Sequence, residues 1–113
     1  MYCFLSYPTH PVDRPVIAVP PTDMLEVVPG LPVMFSIMAM TDAGTLSYQW
    51  QRNEVDIAPT SGVSGVNTRT LTITNVQESN EGMYRCVVTN DAGSTNSNTS
   101  QLTVCKYMCL HVL

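Results

Sequence analysis

The sequence is short of charge. Asp, Glu, Lys and Arg make up 12% of 113 residues, with five basic residues scattered among nine acidic ones for a net charge of −4. Neutralising a phosphate backbone takes clustered Lys and Arg, so a nucleic-acid partner is excluded. The same scarcity argues against docking on an anionic membrane surface. Long apolar runs are missing too. None approaches the roughly 18 residues a spanning helix needs, so no direct membrane insertion is expected. Histidine is scarce: His10 and His111 lie near the two ends. A hydrolytic triad needs nucleophile, base and orienting acid at one site, and the carboxylates of Asp42, Asp56 and Glu78 fall in turn-like sequence that reads as solvated surface. No catalytic, cofactor-binding or metal-ligating residues are therefore expected. The segment from Met1 to Pro8 lacks a basic start and a long apolar centre, so export would be directed from outside these residues.

What the sequence does have is 44% hydrophobic residues, enough to drive collapse, in a length suited to one small domain. Helical spacing is nearly absent. Period-two alternation recurs instead between clusters of Gly, Pro, Asn, Asp, Ser and Thr. Val33, Phe35, Ile37 and Ala39 share one face; Leu46, Tyr48 and Trp50 another; Leu71 and Ile73, then Gly82, Tyr84, Cys86 and Val88, then Leu102 and Val104 continue the series. The stretch from Ala58 to Thr68 is small and polar, and reads as a loop with at most a short edge strand. Short strands with one apolar and one polar face fit two antiparallel sheets packed face to face, an all-β sandwich. Pro15, Pro20 and Pro21 suit an interrupted edge strand. The chain divides into an irregular head (1–14), a patterned body (15–104) and a tail (105–113).

Cys3, Cys86, Cys105 and Cys109 make an even count that permits two bridges. Only Cys86 lies in patterned sequence. Cys105-x-x-x-Cys109-x-His111 offers soft ligands of the kind zinc takes, but the spacing matches no familiar finger. A terminal disulfide such as Cys3 with Cys105 or Cys109, or a fragment of an adjoining module, is the preferred reading.

In order and spacing, Gly30-x-x-Val33-x-Phe35-x-Ile37-x-Ala39, Tyr48-x-Trp50, Leu71-x-Ile73-x-x-Val76, Gly82-x-Tyr84-x-Cys86 and Asn90-x-Ala92-Gly93 resemble the immunoglobulin superfamily, most of all its I-set. The resemblance covers roughly residues 15–104 and implies a Greek-key sandwich. It implies strand B at Val33–Met40, C at Leu46–Arg52, E at Thr70–Thr74, F at Gly82–Asn90 and G at Ser94–Val104. Trp50 would be the core tryptophan and Tyr84 the residue whose hydroxyl bonds back to the chain. Ile37, Trp50, Leu71, Tyr84 and Cys86 form the expected core. Three positions depart from the family pattern. Ile37 stands where the strand B cysteine is usual, so the inter-sheet bridge cannot form there and Cys86 is expected as a buried thiol. Asn80 replaces the usual Asp, with Arg69 as its expected partner. Glu54 stands where Gly often completes the C–C′ hairpin, so a different turn type is expected.

The resemblance implies a non-catalytic protein-binding module without cofactor, part of an extracellular or cell-surface receptor or adhesion protein. Its partner would be a protein or neighbouring immunoglobulin-like domains. The alternative is a cytoplasmic structural domain of a tandem mechanical array, which the lone Cys86 favours because the cytosol keeps thiols reduced. The expected binding face is the outer side of the C–F–G sheet, with Gln49, Gln51, Arg85, Val87 and Thr89. Asn98-Thr99-Ser100 is a formal glycosylation acceptor. Met34, Met38 and Met40 are expected on the outside of strand B as scattered apolar side chains rather than an interface.

Overall fold

The structure is a computed structural model that describes residues 13–42 and 44–107. The expectations for Cys3, His10, Cys109 and His111, and for most of the head and tail, lie outside the described residues. Among the described residues eleven strands follow one another: β1 (Val16–Val19), β2 (Met24–Val27), β3 (Val33–Ser36), β4 (Met38–Met40), β5 (Ser47–Arg52), β6 (Val55–Asp56), β7 (Val63–Ser64), β8 (Thr70–Ile73), β9 (Gly82–Asn90), β10 (Gly93–Asn96) and β11 (Ser100–Val104). One layer has the order β2-β11-β9-β5-β6, with β10 also on β9; the other contains the pairs β1-β4 and β3-β8-β7.

Strand B is broken at Ile37 because its partner changes. Val33 to Ser36 pair with β8, whereas Met38 to Met40 pair with β1. A bond from the Ile37 amide to the Arg69 carbonyl (3.0 Å) carries the β8 ladder across the break. Pro20 and Pro21 lack amide donors, so β1 ends before them and the chain crosses to the other layer, where β2 runs parallel to β11. Strand G is also interrupted. Asn96 stands opposite Val87 and Ser100 opposite Tyr84, so three residues of G face two of β9, a one-residue bulge. Ser97 secures it: its amide bonds to the Cys86 carbonyl, and its Oγ accepts the Cys86 amide, both at 2.9 Å.

The inward positions of both layers meet in one core. Trp50, Phe35, Leu71, Ile73, Val76, Val88 and Leu102 are fully buried. The Phe35 ring stacks on Tyr84 at 4.9 Å and is tilted against Trp50 at 6.3 Å, arrangements that add to the effect of area burial alone. The Trp50 indole N–H donates to the Thr68 carbonyl (2.8 Å), so the largest core side chain leaves no orphan donor.

Two expectations about turns are corrected. The β5–β6 hairpin keeps the two-residue geometry that Asn-Gly would give: Asn53 (φ 52°) and Glu54 (φ 69°) both sit at positive φ, as a type I′ turn requires. Glu54 adopts the conformation because the twist of the flanking strands demands it, despite the cost to a residue with a Cβ. Asn80 does not pair with Arg69. Its Oδ1 accepts the Gln77 amide (2.7 Å) at the Glu78–Asn80 3₁₀ turn, a local bond that a neutral amide makes without drawing in a cation. Arg69 instead lies exposed beside Val19, Met38 and Thr70 on the other layer.

Candidate binding faces and the buried thiol

Antiparallel register sets what the C–F–G face presents. Arg85 stands opposite Gln51, Val87 opposite Gln49 and Thr89 opposite Ser47, so all of these point away from the core. Gln49, Gln51, Arg85, Val87 and Thr89 are half-buried because they cover one another. Arg85 Nε donates to Gln51 Oε1 (2.8 Å) and Gln51 Nε2 to Asp56 Oδ1 (2.8 Å), a chain of bonds across three strands. Gln49 Nε2 donates to the Trp50 carbonyl (2.8 Å), and its Oε1 accepts Asn67 Nδ2 (3.0 Å). Thr89 and Ser94 share a hydroxyl bond of 2.7 Å. The result is a platform of balanced charge, Arg85 against Asp56, whose polar atoms are held in place by each other, with Val87 among them. Asp56 and Asn67 belong to it and were not foreseen. The hairpin register could have pointed to Asp56, but nothing local in the sequence brings Asn67 to Gln49.

Beneath this face Ile37, Trp50 and Cys86 are buried, Cys86 directly opposite Trp50. Cys86 is a free thiol, and burial pushes its pKa up to about 12. The thiolate is the reactive form, so this cysteine is chemically inert at neutral pH and packs as a small hydrophobe. Tyr84, also buried, donates its hydroxyl to the Asn80 carbonyl (2.5 Å), and burial raises its pKa against the opposing pull of Arg52. Arg52 itself donates to the Ser79 carbonyl. Both residues border an open cleft of about 550 Å³ floored by Ile57 and Ile73. The cleft is lined by one guanidinium and has no imidazole or thiol. Among the described residues no cluster of His, Cys, Asp and Glu is placed to hold a metal ion.

Asn98 is exposed on the bulge, while Ser100, the third residue of its acceptor motif, is wholly buried with an Oγ that has no hydrogen-bond partner. Cys105 is buried and disulfide-bonded. Its expected partner, Cys3, lies outside the described residues, as does Cys109, the alternative partner expected for Cys3.

No curated protein matches the chain closely enough to count as a relative. Among solved structures, the tandem Ig repeats of Dlar superpose with a TM-score of 0.73 at 26% identity, over 80% of this chain and 47% of that one. The extracellular domains 3–5 of Drosophila OTK give 0.72 at 28%, over 82% of this chain and 32% of that one. The chain thus spans about half the length of the first and a third of the second. Titin M4 superposes with a TM-score of 0.69 at 23% identity, over 84% of this chain and 99% of its own, a likeness of fold alone. A family model described as immunoglobulin domain matches residues 14–90, well over half of the sequence. The chain belongs to the immunoglobulin domain family.

Proposed function

We propose that residues 15–104 form an I-set-like module of a longer cell-surface receptor or adhesion protein and bind a protein partner, without cofactor or catalysis, through the outer C–F–G face. The observation that carries this reading is the Gln49–Gln51–Arg85–Asp56 platform: side chains already ordered by mutual hydrogen bonds lose little conformational freedom when a partner covers them. A low-charge surface with an apolar centre at Val87 suits a specific protein contact. The disulfide at Cys105 supports an oxidising compartment, as do the receptor-type structures above. The split of the first strand between layers, β1 on one and β2 on the other, supports the I-set assignment.

A second reading, a cytoplasmic link of a tandem structural array, is favoured by Ile37 and the lone Cys86, since a domain without its inter-sheet bridge suits a reducing compartment. One experiment separates the two and tests the face. The purified 113-residue chain, fluorescently labelled, is applied to intact cells of its source. The receptor reading expects saturable surface binding that Arg85→Glu or Val87→Glu abolishes while the fold, checked by circular dichroism, is retained. Binding to permeabilised cells only would favour the cytoplasmic reading. Binding unaffected by both substitutions would remove the C–F–G face from the proposal.

A further inference from the structure

Strand β4 turns Met38 and Met40 to solvent, and β1 turns Val16 and Val19 to the same side. Directly opposed residues of an antiparallel pair share a face, and here Val16 stands opposite Met40 and Val19 opposite Met38. Each keeps between 49% and 60% of its surface exposed. These methionines are not scattered, as the sequence suggests, nor does β1 cover them. It pairs beside them and widens the apolar surface. The four side chains make a continuous patch of about 400 Å², within the roughly 300–600 Å² of the largest apolar patch on a typical monomer, which is often functional. Methionine adapts its shape readily to a facing surface.

The two ends of the patch carry opposite charge. Asp42 borders the Val16–Met40 end and Arg69 the Val19–Met38 end. Among the described residues neither has an ion-pair partner. Arg14 also reaches the Asp42 end, but its side chain lies over the backbone of Gly93. A strip that is apolar in the middle, acidic at one end and basic at the other is complementary to itself turned end for end.

We propose that the β1–β4 face is a homodimer interface. A second copy of this chain docks on it about a two-fold axis perpendicular to the strands, so that Asp42 of each copy meets Arg69 of the other. Such a contact is isologous, and each charged pair occurs twice. An axis parallel to the strands would oppose Asp42 to Asp42 and Arg69 to Arg69, so the charges select the antiparallel arrangement. With its rim the apposed pair buries about 1,000 Å², the lower bound for a specific complex and the size of weak, reversible contacts. The C–F–G face lies on the other layer and remains free, so the dimer is independent of the binding role proposed above.

Sedimentation velocity of the full 113-residue chain from 1 to about 300 μM is the test, with covalent dimers excluded by non-reducing electrophoresis. A reversible dimer with a dissociation constant in the micromolar range is expected. Met38→Glu weakens it at least tenfold, and Val87→Glu on the opposite layer leaves it unchanged. Asp42→Arg weakens it several-fold, and adding Arg69→Asp restores it. Thermal melts establish that each variant is folded, and since Met38 and Asp42 are exposed their substitution leaves the core intact. A monomer at all concentrations would overturn the proposal, as would a dimer insensitive to Met38→Glu. A dimer lost on Val87→Glu would place the contact on the other layer, and failure of the double charge reversal to restore association would overturn the antiparallel arrangement.

Discussion

Ile37 and Cys86, the two positions where the resemblance implies the family's inter-sheet crosslink, are both buried, one on each layer. Ile37→Cys is expected to recreate the bridge under oxidising conditions. Closing a loop of about 50 residues stabilises by roughly 4 kcal/mol through the unfolded chain, and the lost aliphatic packing offsets about 1–2 kcal/mol of that. The oxidised variant should therefore gain about 2–3 kcal/mol in urea unfolding and lose the gain on reduction. Thiol titration in denaturant checks it directly, because persistence of both thiols after oxidation would mean the layers hold these positions too far apart. Glu54 is a second site where one residue departs from its surroundings. It sits at φ 69° in a turn that suits glycine, a conformation that costs a residue with a Cβ about 1 kcal/mol. Glu54→Gly is expected to raise the melting temperature by roughly 4 °C. A fall would show that the turn gains more from the carboxylate or from a stiffer unfolded chain than it loses in strain.

The 3₁₀ turn and the end of strand G are held together by one carboxylate. Glu81 Oε2 accepts the Lys106 ammonium and the Val104 amide, each at 2.8 Å, and Glu78 lies 3.9 Å from the same ammonium. These contacts, Lys106 first and Val104 second, hold the Glu81 pKa below its ordinary value of 4.5. A depressed carboxylate contributes stability that is present above its unfolded pKa and lost as pH falls through the folded one. Wild type should therefore exceed Glu81→Gln in urea midpoint at pH 6, and the gap should close as pH falls through the depressed Glu81 pKa. A gap independent of pH would assign the effect to the neutral hydrogen bonds alone. At this scale the alternation of β3, β5, β8 and β9 was legible in the sequence, because each has one buried face and a period of two follows directly. The breaks were not. Ile37 interrupts its strand only because the partner changes from β8 to β1, a non-local event, and Ser97–Thr99 bulge in a run of small polar residues with no alternation to interrupt. The same reason hides much of the surface. Side-chain parity places Gln49, Gln51, Arg85, Val87 and Thr89 outward, whereas Asn67 reaching Gln49, and Val16 and Val19 aligning with Met38 and Met40, depend on pairings far apart in sequence.

Across the whole molecule the chain enters at one end of the sandwich and leaves at the other. Asn90, at the end of β9, donates from Nδ2 to the Asp13 carbonyl (2.7 Å), while Lys106 is tied to Glu81 at the start of the same strand. The nine residues of β9 place these points about 30 Å apart. Among the edges of the described residues, β6 and β7 have two residues each and β1 is bounded by prolines, while β2 and β10 are four-residue strands paired on one side. Force applied at Asp13 and Tyr107 pulls β2 and β11 in opposite directions along their shared axis. That parallel pair is joined by Leu102 opposite Met24 and Val104 opposite Val27, and is reinforced by Glu26 N to Thr103 Oγ1 and Cys105 N to the Val27 carbonyl, both 2.8 Å. Sliding the strands loads these bonds together, whereas pulling between Glu26 and Tyr107, which lie near the same end, opens them one at a time. Single-molecule stretching should therefore show a clearly higher unfolding force for the first pair of attachment points than for the second, and Thr103→Ala should lower only the first. Equal forces in the two geometries would mean that the β2–β11 pair is not what resists extension, and that the resistance lies in the β1–β4 pair or the core.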